Sequence, residues 1–312
     1  MRYRVLVSAP YAMPVIERYR RELEAADCEV VVAPVRERLN EQELLGFVPE
    51  VDGIICGDDE ITARVLDAAP RLKVISKWGT GIDSIDQEAA RARGVAVRNT
   101  PNAFSEPVAD TTLGYMLMFA RRLDEMTRDI RASRWEKPEL VSLRECTLGI
   151  VGVGNCGKAV ARRAVAFGMK VLGHDRLDVA PEFLAQIPVQ MVPLDRLLAA
   201  SDFVTLHTDL NPSSKYLMDD SSFARMKPTA FLINTSRGPV VREASLVRAL
   251  EERRLAGAAL DVFEKEPLPV DSPLRRFPNV FLAPHNANSS SEAKERVHRN
   301  TLSNLIQVLQ AS

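Results

Sequence analysis

Hydrophobic positions in this 312-residue chain fall into short apolar runs separated by longer stretches of helical periodicity, almost from end to end. Runs rich in Val, Ile and Leu predict strands at 4–7, 29–32, 53–56, 73–76, 95–98, 147–151, 170–173, 203–207, 230–234, 258–262 and 280–283. Most are continuous rather than alternating, as in parallel strands covered on both faces. Helical spacing predicts helices at 14–26, 62–69, 85–93, 155–167 and 243–253, with Thr62 as a cap and Gly168 as a stop. Strand–helix alternation of this kind implies a doubly wound α/β architecture. The longest helical pattern, 107–131, follows the fifth strand and has a length that commonly bridges two lobes. A last helical pattern, 289–310, has no strand after it. The expected organisation is two domains, the first discontinuous: residues 1–100 completed by 289–312, with 101–288 inserted between them.

Composition narrows the class without changing that picture. The chain is 46% hydrophobic and 27% charged with a net charge of −1, which describes a soluble globular protein and gives no reason to propose a nucleic-acid or membrane partner. Apolar stretches stay short of the roughly 18 residues of a membrane helix. The N-terminal residues run directly into a strand pattern and lack the features of a signal peptide, so the expected location is cytoplasmic. Cys28, Cys56, Cys146 and Cys156 show no Cys-x-x-Cys spacing, so free thiols are expected and no metal site.

The most specific local feature is Gly152-x-Gly154-x-x-Gly157, with a predicted strand before it, a predicted helix after it, and Asp175 closing the next apolar run. That is the fingerprint of a dinucleotide-binding turn. Gly152 allows the tight turn, Gly154 lets backbone approach a pyrophosphate, and Gly157 lets the helix pack closely on the strand. The helix N–H groups then face the phosphates. An acid at Asp175 accepts hydrogen bonds from a ribose 2′-OH and repels a 2′-phosphate, which favours NAD over NADP. Residues 101–288 are therefore the expected NAD-binding Rossmann domain, and 1–100 with 289–312 the substrate domain.

Three further blocks are Gly79-Thr80-Gly81-Ile82-Asp83 with Asn99-Thr100-Pro101-Asn102, Phe231-Leu232-Ile233-Asn234-Thr235-Ser236-Arg237-Gly238, and 259–267 (Ala-Leu-Asp-Val-Phe-Glu-Lys-Glu-Pro) followed by Ala283-Pro284-His285. With these, nearly the whole chain resembles the D-isomer-specific 2-hydroxyacid dehydrogenases, the phosphoglycerate dehydrogenase-like family. The resemblance implies two Rossmann-like domains with parallel sheets and an NAD-dependent exchange of hydride between a D-2-hydroxy acid and its 2-oxo acid. It also implies a homodimer formed through the nucleotide domain.

Residue chemistry agrees with those implied roles. Arg237 ends a strand, where α/β sites form, and a guanidinium fork there suits a carboxylate and polarises an adjacent ketone oxygen. His285 also ends a strand; histidine can donate a proton to a nascent alkoxide and take it back. Glu266 resembles the family's acid that pairs with this histidine, and a carboxylate within about 4–6 Å stabilises imidazolium. Backbone N–H groups of Gly79, Thr80 and Gly81 can cradle a substrate carboxylate, with Arg237 as the other substrate-binding group. By resemblance, Thr80, Asn155, Cys156, Asp175, Thr208, Thr235, Ser236 and Asp261 line the cofactor, Asp261 bonding the nicotinamide carboxamide. His174 and His207 are expected near the cofactor without carrying protons, and His298 as a surface or packing residue.

Some positions depart from the family pattern. Asn155 stands where an arginine is usual, which implies weaker cofactor affinity. After His285, where glycines are general, the chain has Asn286-Ala287-Asn288. The phosphate-binding arginine expected of phosphoglycerate-specific members is replaced by the acidic segment 56–60 (Cys-Gly-Asp-Asp-Glu), which repels phosphate unless Lys77 or Arg98 compensates. With Ser312 as the last residue, no appended regulatory domain is expected. A small unphosphorylated 2-oxo acid is thus expected over 3-phosphoglycerate. The competing expectation is an NAD(H)-sensing regulator on the same scaffold, similar to the family's transcriptional corepressors.

Overall fold

The computed structural model describes residues 2–311. It divides into two compact units, one taking the chain up to Phe104 and again from Ser290, the other Ser105–Ser289. Both are α/β with all-parallel sheets, as the alternation of short apolar runs and helices predicts.

The first unit contains β1 (Tyr3–Val7), α1 (Ile16–Ala25), β2 (Cys28–Val32), α2 (Glu41–Leu44), β3 (Gly53–Cys56), α3 (Ala63–Asp67), β4 (Val74–Lys77), α4 (Gln87–Ala92) and β5 (Ala96–Arg98). Its sheet runs β2-β1-β3-β4-β5. Every residue of β3 and β4 is buried, which is why neither alternates in sequence. Side-chain caps fix the helix starts: Thr62 accepts from the Val65 N–H, and Asp86 from the Ala89 N–H. The terminal helix Ser291–Gln310 returns to this unit, where Ser76 Oγ donates to the Thr301 carbonyl at 2.7 Å. Gly53 lies close beneath it: a Cβ there would come within 2.8 Å of Leu305 Cδ1.

The second unit contains α5 (Ser105–Arg121), α6 (Leu123–Arg131), β6 (Thr147–Val151), α7 (Asn155–Ala166), β7 (Lys170–His174), α8 (Pro181–Gln186), β8 (Val189–Met191), α9 (Leu194–Ala200), β9 (Phe203–Leu206), α10 (Asp220–Arg225), β10 (Phe231–Asn234), α11 (Glu243–Glu251), β11 (Gly257–Leu260) and β12 (Val280–Leu282); the terminal helix is α12. The sheet order is β12-β11-β10-β9-β6-β7-β8. Chain order reverses between β6 and β9, which makes the C-terminal ends of these strands the place where an open parallel sheet binds ligands.

Two expectations need correction. The 107–131 pattern is two helices, not one bridging helix. Arg122 adopts a left-handed φ of 47°, so the chain breaks between α5 and α6, and both pieces belong to the second unit. No Gly or Pro marks this break, and helical periodicity continues across it. A third strand on the β7 side, β8, also escaped the pattern, since three residues carry too little periodicity.

Candidate active site

Each residue singled out in the second unit lies just past the C-terminal end of a strand. Gly152–Gly157 follows β6, Asp175 follows β7, Thr208 follows β9, Thr235–Arg237 follows β10, Asp261 and Glu266 follow β11, and His285 follows β12. One edge of one sheet therefore presents them all, the nucleotide fingerprint near the switch point and the Arg, Glu and His on the β10–β12 side.

The glycines of the fingerprint have different physical reasons. Gly152 has φ +92° and its Cβ would meet the His207 carbonyl oxygen at 2.6 Å. A Cβ on Gly157 would lie 2.1 Å from the Gly152 oxygen. These two are required by the protein's own packing. Around Gly154 a Cβ would meet no protein atom within 4 Å, so internal packing does not demand glycine there. Gly154 is also the N-cap of α7 and supplies no side-chain cap, leaving the first-turn N–H groups of a 12-residue helix available to an anion. Thr208 Oγ1 is shielded from solvent without a hydrogen-bond partner among the described residues. An exposed glycine cradle, an uncapped helix start and an orphaned hydroxyl together fit a dinucleotide pyrophosphate.

Asp175 does more than sequence suggested. Its Oδ2 accepts from the Val153 N–H at 2.7 Å and its Oδ1 from the Leu177 N–H at 2.9 Å, so it also braces the glycine turn. Asn155 is exposed at the first position of α7. Cys156 donates to Ser105 Oγ at 3.5 Å, and burial raises its thiol pKa. Thr235 is buried and its Oγ1 lies 3.4 Å from that of Thr112 on α5.

Arg237 sits in a turn whose shape is set by Asn234, a fully buried residue of the same motif block to which the sequence assigned no role. Asn234 Nδ2 donates to the Arg237 carbonyl at 2.9 Å, while Asn234 Oδ1 accepts from Ser236 N at 3.0 Å and Ser236 Oγ at 2.8 Å. Arg237 Nη1 donates to the Ser236 carbonyl at 2.9 Å. Gly238 then packs on the next loop so tightly that a Cβ would fall 1.9 Å from the Phe263 carbonyl carbon. The arginine turn and the 263–266 loop are thereby pressed backbone to backbone.

Glu266 lies on that second loop. Its Oε1 accepts from the Phe263 N–H at 2.9 Å, and its Oε2 lies 2.9 Å from His285 Nδ1. The two side chains are about one-quarter exposed, at 24% and 26%. A carboxylate anchored by a backbone donor thus orients an imidazole whose Nε2 edge is on the far side. His285 itself has φ 49°, uncommon for a side chain with a Cβ. The following Asn286 and Ala287 do not have positive φ among the described residues, so this turn needs no glycine after the histidine. Asp261 explains why: it is 1% exposed, and its two oxygens accept from the Asn286 and Ala287 N–H groups, each at 2.8 Å. Sequence gave no signal for these bonds, which join residues 25 and 26 positions apart.

The remaining candidates belong to the first unit. Gly79 has φ +125°, and its carbonyl accepts from Thr100 N at 2.9 Å. Thr80 Oγ1 donates to the Thr100 carbonyl at 3.0 Å, and Asn99 Nδ2 to the Thr80 carbonyl at 2.5 Å. The 79–81 turn is therefore braced by the 99–100 segment. The acidic segment before it is not an unmatched cluster. Asp58 pairs with the buried Lys77 at 3.1 Å and Glu60 with Arg38 at 3.5 Å, while Asp59 is fully buried and accepts from Leu39 N and Ser8 Oγ. A basic pocket lined by Arg71, Lys73 and Arg93 lies at the opposite, N-terminal end of this sheet. Arg71 and Arg93 are already paired there with Asp52 and Asp67.

The other histidines are structural in geometry. His207 Nε2 lies 3.0 Å from Thr205 Oγ1, and burial lowers its pKa to about 4. His174 Nδ1 meets the Val192 carbonyl at 3.2 Å, and buried His298 accepts from Trp78 Nε1 at 3.0 Å. No cluster of metal-ligating side chains occurs among the described residues, and no helix there is long and apolar enough to cross a membrane.

Known proteins resemble this chain across its length. Residues 113–287 match the family model of the D-isomer specific 2-hydroxyacid dehydrogenase NAD binding domain. A glyoxylate reductase of Thermofilum pendens is 42% identical over 294 residues, covering 90% of this chain and 86% of that protein. A D-3-phosphoglycerate dehydrogenase of Rattus norvegicus is 39% identical over 264 residues; the match covers 84% of this chain but spans about half of that protein, 49%. The crystal structure of a D-lactate dehydrogenase from Aquifex aeolicus complexed with NAD and lactic acid superposes with a TM-score of 0.89 at 25% identity, covering 99% and 96% of the two chains. The chain belongs to the D-isomer-specific 2-hydroxyacid dehydrogenases, oxidoreductases that use NAD.

Proposed function

We propose that this protein interconverts a small, unphosphorylated D-2-hydroxy acid and its 2-oxo acid, with Arg237 as the carboxylate and carbonyl ligand and His285 as the acid/base. The observation that carries the reading is the 2.9 Å contact between His285 Nδ1 and a Glu266 itself held by the Phe263 N–H. With Nδ1 committed to the carboxylate, Nε2 is the atom that gives a proton to the alkoxide oxygen in reduction and recovers it in oxidation. Arg237 draws charge onto the ketone oxygen while its fork binds the carboxylate. Backbone N–H groups of Gly79, Thr80 and Gly81 would bind that carboxylate as well. When bound, NADH would supply the hydride for reduction and NAD+ would accept it in oxidation. Its pyrophosphate would rest on Gly152, Gly154, Asn155, Cys156 and Gly157, its ribose on Asp175, and its remaining length along Thr80, Thr208, Thr235, Ser236 and Asp261.

Preference for an unphosphorylated acid is supported by charge pairing. Lys77, the buried one of the two cations that could compensate, pairs with Asp58, and Glu60 pairs with Arg38, while Arg98 is exposed and donates to the Val97 carbonyl. Screening glyoxylate, hydroxypyruvate, pyruvate, longer 2-oxo acids and 3-phosphohydroxypyruvate with NADH tests this. Turnover of an unphosphorylated acid is expected, with 3-phosphohydroxypyruvate at least tenfold poorer in kcat/KM. NADH binding without oxidation by any of them would instead favour the NAD(H)-sensing regulator.

A homodimer joined through the second unit is part of the same reading. Helix α6 buries none of its residues, and Leu123 and Ile130 on it and Trp135 just after it are 47%, 54% and 79% exposed. An apolar helix face of that kind is supported by a second copy more readily than by water.

A further inference from the structure

Two buried side chains stand at the C-terminal ends of neighbouring strands, and each fixes the backbone of one functional loop. At the end of β10, Asn234 uses its amide N–H on the Arg237 carbonyl and its amide oxygen on two Ser236 donors. Just past β11, Asp261 uses both carboxylate oxygens on successive N–H groups after His285, and its backbone carbonyl accepts from His285 N at 2.7 Å. The two are tied to each other, because Asp261 N donates to the Asn234 carbonyl at 3.0 Å. Burial matters to the argument: with exposures of 0% and 1%, neither side chain has water as a substitute partner. A buried carboxylate saturated by backbone donors also holds His285 in the left-handed conformation that no glycine relieves.

We propose that Asn234 and Asp261 form a single strand-end clamp that sets the position of Arg237 relative to His285, and that both are positioning residues for hydride exchange. The proposal rests on the catalytic reading of Arg237 and His285 given above. It assigns Asp261 a loop-holding role beyond the carboxamide contact, and gives Asn234 a role of its own.

Near-isosteric variants separate clamp from packing. Asn234→Asp keeps the acceptor for Ser236 but sets a carboxylate oxygen against the Arg237 carbonyl. Asp261→Asn keeps one acceptor and turns an NH2 toward a loop N–H. With glyoxylate as the probe acid, Asn234→Asp is expected to raise KM at least tenfold. Asp261→Asn is expected to lower kcat at least tenfold and to enlarge the solvent deuterium isotope effect, as proton delivery becomes limiting. NADH should bind Asn234→Asp at one per chain with Kd within threefold of wild type, and the double variant should lose less than the product of the single losses. A loss in Asn234→Asp that tracks a weakened NADH Kd, or simple multiplication in the double variant, would overturn the clamp. Crystal structures of the variants test it independently of turnover. The 285–287 loop should shift in Asp261→Asn and break the 2.9 Å contact with Glu266; loops that superpose on wild type overturn the proposal. Displaced loops with undiminished turnover would support the clamp and contradict the catalytic assignment of Arg237 and His285.

Discussion

Single residues in this protein do their work through backbone partners that the sequence does not announce. Arg237, Glu266 and His285 became legible through motif blocks, because guanidinium, carboxylate and imidazole at strand ends have recognisable chemistry. Nothing in the spacing says that side chains 19 positions apart meet at 2.9 Å. Asn234 and the bonds of Asp261 were not legible, since an amide or carboxylate facing main-chain donors leaves no periodic or compositional trace. His207 offers a residue-scale prediction. Burial lowers it to about 4, against about 6.5 in an unfolded chain. Between those values the unfolded chain binds a proton that the folded chain refuses, so stability falls as pH drops from about 6.5 to 4 and levels off below. The loss should be about 1–3 kcal/mol. Urea denaturation of wild type and His207→Gln at several pH values checks this. The variant should lose less stability across that window, and an equal loss would place its origin elsewhere.

Elements were legible where several turns of periodicity or a continuous apolar run marked them. Strands β3, β4, β9 and β11, buried at every residue, and β10, buried at all but its first, read clearly as short, mostly apolar runs without alternation. The division between α5 and α6 did not, because it is made by a left-handed arginine with helical residues on both sides. Short pieces such as α2, α8 and β8 depend on tertiary packing and carry too few residues for a pattern. The division has a consequence for α6, none of whose residues is buried and whose Leu123 and Ile130 are exposed. Sedimentation should find wild type as a dimer. Ile130→Asp, replacing an exposed side chain, should yield folded monomers with unchanged thermal unfolding of each unit. A dimer unaffected by this change, or a wild-type monomer, would remove α6 from the interface.

At the scale of the whole molecule, two parallel sheets supply different kinds of site. The second places the glycine fingerprint and its acid beside the switch point, and three ionisable groups beyond the strands to one side. The first supplies a braced turn at 79–81 and a set of matched charges around it. Fold class was legible because strand–helix alternation constrains parallel sheets strongly, and the cofactor because the glycine fingerprint stands in register with a strand, a helix and Asp175. Substrate identity was less so, since charge pairing such as Asp58–Lys77 emerges only in three dimensions. Steady-state reduction of glyoxylate by His285→Gln, with NADH binding measured on the same sample, tests the central claim most directly. The account predicts unchanged NADH affinity and a loss of about 10²–10⁴ in kcat. Turnover within a few-fold of wild type would contradict it.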